Sequence, residues 1–303
     1  MAVLGPVKDP SVYMLNETTS LKDYQDKLLE ILLYFDDFCR KHGLRYYLAG
    51  GTCIGAVRHQ GYIPWDCDVD VIMLRDDYEK LTKIWDQYAD TSRYVFDRTT
   101  ETNNMRAQVG AIKDVNTTYI RSHNTHYDMN HGMPIDILVW DKLSDNAFAR
   151  KIQVFNGMVF SLFNAQRIPN QHGGLAKVVT KILLGIIRSK SLRYKIWSRC
   201  EKRMSKYNDR ETTYVGELVC GYKNGCRLYK AEWFKEPKEL MFEGHKVYCP
   251  TYPEKYLEVR YGDFMTLPPE DERISKFTPA FIDLKKSYKE YKGTEYDDSE
   301  ENK

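Results

Sequence analysis

The clearest pattern of hydrophobic and polar positions follows an N-terminal arm of residues 1–19 and covers residues 20–41. Its apolar residues recur with the period of an α-helix, at Leu21, Leu28, Ile31, Leu32, Phe35, Phe38 and Cys39. Ser20 and Asp23 resemble a capping box at its start, and Gly43 is a typical stop. The pattern therefore predicts a helix from Ser20 to Lys41 that buries one face.

Shorter apolar runs after this helix are typical of strands. They lie at 44–49, 69–73, 94–97, 107–113, 118–121 and 134–139. Between the first two runs, Gly50 and Gly51 break the strand, and Thr52 can cap a short helix that reaches Arg58. Another helix is predicted over 76–88, and its inner face would consist of Tyr78, Leu81, Ile84, Trp85 and Tyr88.

The second half of the chain is predominantly helical in pattern. Residues 145–210 predict helices, and 240–290 mix a short strand around 246–248 with helices. After Gly293 the chain has five acids and one lysine, which predicts a disordered tail over 291–303. We therefore expect an α+β (α/β mixed) fold, with a sheet core over 20–145 and a helical portion over 146–290 that completes the same domain.

Charge limits the classes of partner. The 303 residues include 45 Lys and Arg and 43 Asp and Glu, a near-balance that argues against a dedicated nucleic-acid binder. Residues 175–206 depart from this balance, because they carry ten basic residues against Glu201, together with an apolar stripe. Such a segment either lies on an anionic membrane or packs its stripe in the core and exposes its basic face to water.

The seven cysteines are scattered, which favours reduced thiols in a cytoplasmic protein over a disulfide framework. Cys220 and Cys226 lack a second pair with zinc-ligand spacing. The N-terminus does not resemble a signal peptide, and no run of about 18 apolar residues predicts a membrane span. We expect a cytoplasmic protein, with a peripheral contact at the inner membrane face only if residues 175–206 lie on the membrane.

The candidate chemistry lies between Gly50 and Asp70. Asp68 and Asp70 flank Val69, so an extended backbone would place both carboxylates on one face. Two neighbouring carboxylates repel each other unless they share a proton or a cation, and oxygen ligands suit Mg²⁺ or Mn²⁺. The alternative is a pair of solvated acids on an edge strand.

The glycines upstream strengthen the metal hypothesis. Gly50 and Gly51 would let backbone N–H groups turn towards a phosphate at a helix start. Arg58 is able to grip a phosphate at two points, and His59 would contact phosphate or cap the helix. Trp65 offers a ring for a base or a choline group, or else packs in the core.

The segment YYLAGGTCIGAVRHQGYIPWDCDVDVIM resembles the signature of the LicD family of phosphotransferases. That family includes the nucleotidyltransferase-like domains of fukutin and fukutin-related protein. The match departs at Ile54, a mild change, and at Cys67, where the family usually has Asp. Cys67 is therefore excluded as a ligand, and the role of Asp66 is left open. The resemblance implies a nucleotidyltransferase-like mixed-sheet core with helical additions.

Two further segments extend the resemblance. PIDILVWD at 134–141 implies that Asp136 is the third carboxylate beside Asp68 and Asp70, and KDVNTTYI at 113–120 implies a phosphate contact for Lys113. A third segment, YLEVRYGDFMTLPPEDER at 256–273, resembles the family's ending. The resemblance thus spans roughly residues 40–290.

The implied function is transfer of phosphocholine or a similar phospho-alcohol group from a CDP-linked donor to a glycan hydroxyl. The acceptor would be a precursor of a cell-surface glycan, teichoic acid or lipopolysaccharide, free or lipid-linked. Asp68, Asp70 and Asp136 would hold one or two Mg²⁺ ions, with Asp136 as ligand or base, and Gly50, Gly51 and Thr52 would cradle the donor phosphates. The alternatives are a nucleotidyltransferase that releases pyrophosphate and a non-catalytic binding module.

One other cluster precedes Asp136. His123, His126 and His131 lie near Asp128 in a predicted loop, which is either a zinc site or a polar loop beside the active site. The spacing of the histidines favours the polar loop.

Overall fold

The computed structural model describes residues 6–107, 109–166, 174–277 and 279–299, without the side chains of 174–177 and 179. The predicted stripe positions Leu175 and Val179 and the basic Lys177 therefore have side chains outside the described residues, as do the tail acids Glu300 and Glu301.

The main helices lie in two groups, one around the sheet and one after it. They are α1 (Leu21–Lys41), α2 (Gly50–Ile54), α3 (Arg75–Tyr88), α4 (Ala147–Ala165), α5 (Gly174–Ile186), α6 (Lys190–Met204), α7 (Tyr222–Gly225) and α8 (Pro253–Tyr261). A π-helical turn, Gly55–His59, continues α2, and 3₁₀ turns lie at Ala231–Phe234, Glu270–Glu272 and Tyr288–Tyr291.

The strands are short, with one long exception. They are β1 (Tyr47–Leu48), β2 (Asp70–Leu74), β3 (Tyr94–Asp97), β4 (Gly110–Asp114), β5 (Thr118–Arg121), β6 (Met133–Leu143), β7 (Tyr214–Gly216), β8 (Tyr229–Lys230), β9 (Lys238–Phe242), β10 (His245–Cys249) and β11 (Pro279–Asp283).

The central sheet has the order β1-β2-β6-β4-β3, and β7 and β8 extend the far end of β6. Strands β2 and β6 are parallel, and the other neighbours are antiparallel. The pairs β9–β10 and β5–β11 form two separate antiparallel ribbons. A mixed sheet with helices confirms the predicted α+β class.

Helix α1 shows how local sequence sets an element. The Ser20 hydroxyl accepts a hydrogen bond from the Asp23 amide, and the Asp23 carboxylate accepts one from the Ser20 amide, which together form the predicted capping box. The helix covers the main core with fully buried residues at Leu28, Leu32 and Phe35. Gly43, at φ +63°, takes the left-handed conformation that ends the helix.

Several local predictions differ from the structure. The predicted strand 44–49 is reduced to Tyr47–Leu48, and the strand predicted at 69–73 begins at Asp70, so Asp68 lies before it. Helix α2 begins at Gly50, which places Thr52 inside the helix instead of at its cap. Tyr88, predicted on the inner face of α3, is exposed.

The tail also differs from its prediction up to residue 299. Lys292 and Tyr296 form a bridge, the Asp297 amide donates to the Thr125 carbonyl, and Tyr296 is buried against His131. These tertiary contacts order a segment whose composition alone favours disorder. Among the described helices, none is both long and apolar enough to cross a bilayer.

Candidate active site

Two carboxylates that lie 66 residues apart in the sequence become neighbours in the sheet. Parallel pairing of β2 and β6 sets Asp70 in register with Asp136, and the Asp136 amide donates to the Val69 carbonyl at 2.9 Å. Paired residues on adjacent strands point to the same face. The pairing therefore brings together two of the three predicted carboxylates.

The other two acids precede β2. Asp68 is exposed, and its carboxylate hydrogen-bonds with the carboxyl group of Asp66. Asp66 is held in place because its Oδ1 accepts from the Cys67 amide at 3.1 Å and its carbonyl accepts from Gln25 Nε2 at 2.9 Å. The structure thus places Asp66, whose role the sequence left open, directly beside Asp68.

The electrostatics of these four acids, which we call the acidic site, are governed first by burial and then by mutual repulsion. Loss of water raises the pKa of Asp70 well above its usual value, and the charges of Asp68 and Asp136 raise it further. Loss of water also raises the pKa of Asp66, and the charge of Asp68 raises it further. Loss of water and the charge of Asp136 also raise the pKa of Asp68, but less, because its hydrogen bond with Asp66 lowers it.

Few cations balance this charge. Arg121 Nη2 lies 3.6 Å from Asp136 Oδ2, Arg260 lowers the pKa of Asp70, and Lys276 acts weakly on Asp66 and Asp68. Unrelieved repulsion among oxygen ligands is a chemistry that suits a hard divalent cation. Within the described residues, however, no three Asp, Glu, His or Cys side chains converge closely enough to hold one ion as they stand. Coordination would therefore require side-chain rotation.

Gly50 and Gly51 lie where a side chain would collide with the site. A Cβ on Gly50 would lie 3.3 Å from Tyr261 Oη and 3.6 Å from Asp70 Oδ2, and its φ is +50°. A Cβ on Gly51 would lie 2.5 Å from Asp66 Oδ2. Gly50 is therefore favoured by its left-handed backbone, and Gly51 by the close approach of Asp66.

Gly50 and Thr52, predicted to cradle the donor phosphates, already make hydrogen bonds within the protein. The Gly50 amide already donates to Tyr256 Oη at 2.9 Å. The buried Thr52 hydroxyl accepts from the Asp70 amide at 3.0 Å, so its side chain positions a carboxylate instead of a phosphate. The amides of Gly51 and Thr52 lie in the first turn of α2, where the helix supplies no carbonyl partner.

Arg58 contacts the C-terminal part of the chain, and His59 contacts Arg58. Arg58 Nη1 donates to the Phe264 carbonyl at 2.5 Å, and Arg58 Nε donates to His59 Nε2 at 3.0 Å. Burial, followed by the charge of Arg58, lowers the pKa of His59. The cavity beside His59 includes Trp65, whose ring lies 5.9 Å from the Arg273 guanidinium. A phosphate contact of Arg58 or His59 stays a prediction.

Lys113 lines the same cavity as Asp136, but its ammonium group is already paired. Its buried ammonium group donates to Asp97 Oδ2 at 2.7 Å and to the Asn130 carbonyl at 2.6 Å. These contacts satisfy a charge that is costly to bury, so Lys113 is committed to the interior. Arg121 is the cation that pairs with Asp136, and a phosphate contact of Lys113 stays a prediction.

His131 and His126 lie in different surroundings. His131 is buried, its Nε2 lies 3.0 Å from the Tyr127 carbonyl, and burial lowers its pKa to about 4. His126 is exposed and lies near Asp297 and Ser299. Their different surroundings favour the polar-loop interpretation over a zinc site.

The residues beside Gly50 and Asp70 that the sequence did not indicate come mainly from α8. Arg260 Nη1 forms a buried ion pair with Glu217 at 3.0 Å, and Arg260 Nε donates to Tyr261 Oη at 3.2 Å. Tyr256 and Tyr261 both reach Gly50. The segment 256–273 gave a signal through its resemblance, but no spacing rule linked it to Gly50. Arg121 directly follows KDVNTTYI, where the sequence favoured Lys113.

Comparisons with known proteins indicate the family to which this chain is similar. Residues 43–152 match the family model LicD/FKTN/FKRP, nucleotidyltransferase domain, a range that includes the whole acidic site. Lipopolysaccharide cholinephosphotransferase LicD of Haemophilus influenzae is 27% identical over 270 residues, which cover 84% of this chain and 94% of that protein. Human ribitol 5-phosphate transferase FKRP is 28% identical over 127 residues, which cover 41% of this chain and 24% of FKRP.

Proposed function

On the premise that this chain carries a nucleotidyltransferase domain of the LicD/FKTN/FKRP family, we propose that it is a divalent-metal-dependent phospho-alcohol transferase. It would move phosphocholine or a similar group from a CDP-linked donor to a hydroxyl of a cell-surface glycan precursor. The names of two relatives support this reaction class, because one transfers phosphocholine and the other ribitol 5-phosphate. The observation that carries the proposal is the registered pair Asp70 and Asp136 beside Gly50 and Gly51.

In this reaction the acceptor oxygen attacks the phosphorus atom that bears the alcohol. The bond from that phosphorus to the bridging oxygen breaks, and CMP leaves with the electron pair. Asp136 is the residue we assign to the proton of the acceptor hydroxyl, directly or as a ligand. Phosphoryl-group transfer depends mostly on positioning and charge neutralisation, which a small set of side chains supplies.

Mg²⁺ or Mn²⁺ bound by Asp68, Asp70 and Asp136 would neutralise phosphate charge and lower the pKa of the acceptor hydroxyl. The chain itself contributes the arrangement of these acids. Thr52 holds the Asp70 amide, and Arg121 balances Asp136. Gly50 and Gly51 keep the space beside Asp70 and Asp66 free of side chains, so that a donor phosphate can approach.

The test is a screen of CDP-choline and other CDP- and UDP-linked donors for release of the nucleoside monophosphate, with and without Mg²⁺. We expect CMP release that chelation abolishes. Asp70→Asn should lose it, whereas Asp86→Asn, an exposed acid on α3, is the matched control. Pyrophosphate release from a nucleoside triphosphate would instead support nucleotidyl transfer. A folded protein that neither turns over a donor nor binds Mg²⁺ would point to a binding module.

A further inference from the structure

Helix α4 exposes an apolar face that the sequence did not single out. Phe148, Ile152, Phe155 and Met158 recur with helical spacing, and all four are exposed, Phe148 by 74% and Phe155 by 64%. The opposite face of α4 packs in the helical core. A helix with one apolar face in the core and another in water has a surface available for a partner.

Helix α5 has a second exposed apolar stripe. Val178, Ile182 and Ile186 lie four residues apart and are exposed by 54%, 53% and 74%. Leu183, Leu184 and Ile187 pack against the helical core instead. Packing in the core, one of the two alternatives for residues 175–206, therefore accounts for only some of the apolar residues of this segment.

The charge around both stripes is strongly one-sided. Residues 146–206 contain thirteen Lys and Arg and one acid, Glu201, whereas the rest of the chain contains thirty-two Lys and Arg and forty-two Asp and Glu. A chain of formal net charge +2 thus concentrates its positive charge in one helical segment. Glu201 is itself occupied by Arg75 at 2.9 Å, so it does not offset this surface.

We propose that the exposed stripes of α4 and α5 bind the surface of an anionic lipid bilayer. The apolar side chains would enter the boundary between headgroups and acyl chains, and the surrounding Lys and Arg would contact the anionic headgroups. A second copy of the chain is a poorer occupant, because two faces of like charge repel. A nucleic acid matches the charge but leaves Phe148, Phe155 and Ile186 in water.

The docking surface lies one layer from the candidate active site. A Cβ on Gly157 of α4 would lie 2.1 Å from the Leu218 carbonyl oxygen, so the helix backbone touches the segment that carries Glu217. Glu217 in turn holds Arg260, which acts on Asp70. Docking would therefore hold the acidic site near the membrane surface. Access to a lipid-linked acceptor follows only if the proposed function is right, whereas vesicle binding is independent of it.

The test is flotation of the full chain with phosphatidylcholine vesicles, with or without about a quarter phosphatidylglycerol, at low and high salt. We expect binding to the anionic vesicles only, weakened by salt because screening shortens the reach of the headgroup charge. Phe148→Ser/Phe155→Ser should reduce binding at least about tenfold, and Lys181→Glu/Lys195→Glu should reduce it as well. The matched control is Val12→Ser/Tyr88→Ser, whose side chains are 74% and 61% exposed elsewhere.

Circular dichroism and thermal unfolding establish that each variant is folded. Three results overturn the proposal: no vesicle binding at low salt, equal binding to neutral vesicles, or undiminished binding by Phe148→Ser/Phe155→Ser. A stable dimer that dissociates in that variant, without vesicle binding, would assign the face to a second copy. Binding to single-stranded RNA that the apolar substitutions leave unchanged, again without vesicle binding, would assign it to nucleic acid.

Discussion

The two ends of the parallel pair β2–β6 carry acids in opposite circumstances. At one end Asp70 lies beside Asp136, with Arg121 at 3.6 Å as a distant counter-charge. At the other end Arg75 donates to both oxygens of Asp141, at 2.9 Å and 3.0 Å, and Asn208 Nδ2 donates to the same carboxylate at 2.7 Å. The same two strands thus hold a crowded acidic end and a neutralised end.

The difference separates structural from functional carboxylates. Asp141 is buried with its hydrogen-bonding capacity used, which is how a stable interior accommodates charge. Within the described part of the chain, no hydrogen bond reaches the carboxylate of Asp70, and its pKa is raised by burial and like charge. An acid that Arg260 compensates only in part costs stability, so its presence favours a functional role.

The largest expected effect concerns the acidic end. Asp70→Asn should lower donor turnover by at least about a thousandfold, on the order of 4 kcal/mol in activation free energy. Its thermal stability should be unchanged or slightly higher, because a repelling charge is removed. Turnover is measured as CMP release and stability by calorimetry, with Asp86→Asn alongside. A folded Asp70→Asn protein with substantial turnover would contradict the assignment.

At the neutralised end, substitution of the acid should lower stability instead of turnover. Asp141→Asn leaves the buried Arg75 guanidinium without its main partner and should lower the free energy of unfolding by about 3–5 kcal/mol. Asp209→Asn, which removes an exposed ion pair with Arg210, should cost less than about 1 kcal/mol. Urea denaturation measures both. Equal costs would mean that the Arg75–Asp141 pair is not the stabilising feature we describe.

His131, in the wall beside Asp136, tests how burial acts on a titratable group there. Its folded pKa of about 4 lies below the ordinary 6.5, so the unfolded chain binds more protons between these pH values. Stability should therefore fall as pH drops from 6.5 towards 4, by at most about 3 kcal/mol from this group.

The check is the difference between wild type and His131→Gln, measured by urea denaturation at several pH values, since other titrating groups cancel. The wild type should lose more stability on acidification than the variant. Parallel pH profiles would show that His131 is not held neutral by burial.

The smallest effect concerns metal binding. Saturating Mg²⁺ should stabilise the wild type by about 1–3 kcal/mol through mass action, because the ion binds the folded acidic site. Asp70→Asn should lose most of this increment, whereas Asp86→Asn should retain it. Thermal unfolding with and without EDTA measures the increment. Equal stabilisation of both variants would place any Mg²⁺ site elsewhere.

Local sequence alone predicted the elements whose stability is local. The helix at 20–41 was correct because its cap, apolar period and stop all lie within it, and the strands 94–97 and 118–121 were correct to the residue. Strands β7 to β9 and β11 were missed because they are short and depend on partners distant in the sequence. The segment around β10 was predicted, but its partner was not.

The candidate site divides along the same line. The residues Gly50, Gly51, Asp68 and Asp70 were predicted from their pattern, and Asp136 only through a resemblance. The sequence of neither strand specifies the register that pairs Asp70 with Asp136. Whether a charge is compensated is likewise a tertiary property. Asp97 at the end of β3 pairs with Lys113, and α8 brings Arg260 to the site.

The sequence by itself determined that acids and glycines are concentrated at 50–70, and that positive charge is concentrated at 146–206. Only the tertiary structure decided which acids stay uncompensated and which apolar side chains stay in water. The physical reason is that pKa, exposure and close approach depend on neighbours in space, and here these come from strands and helices far apart in the chain.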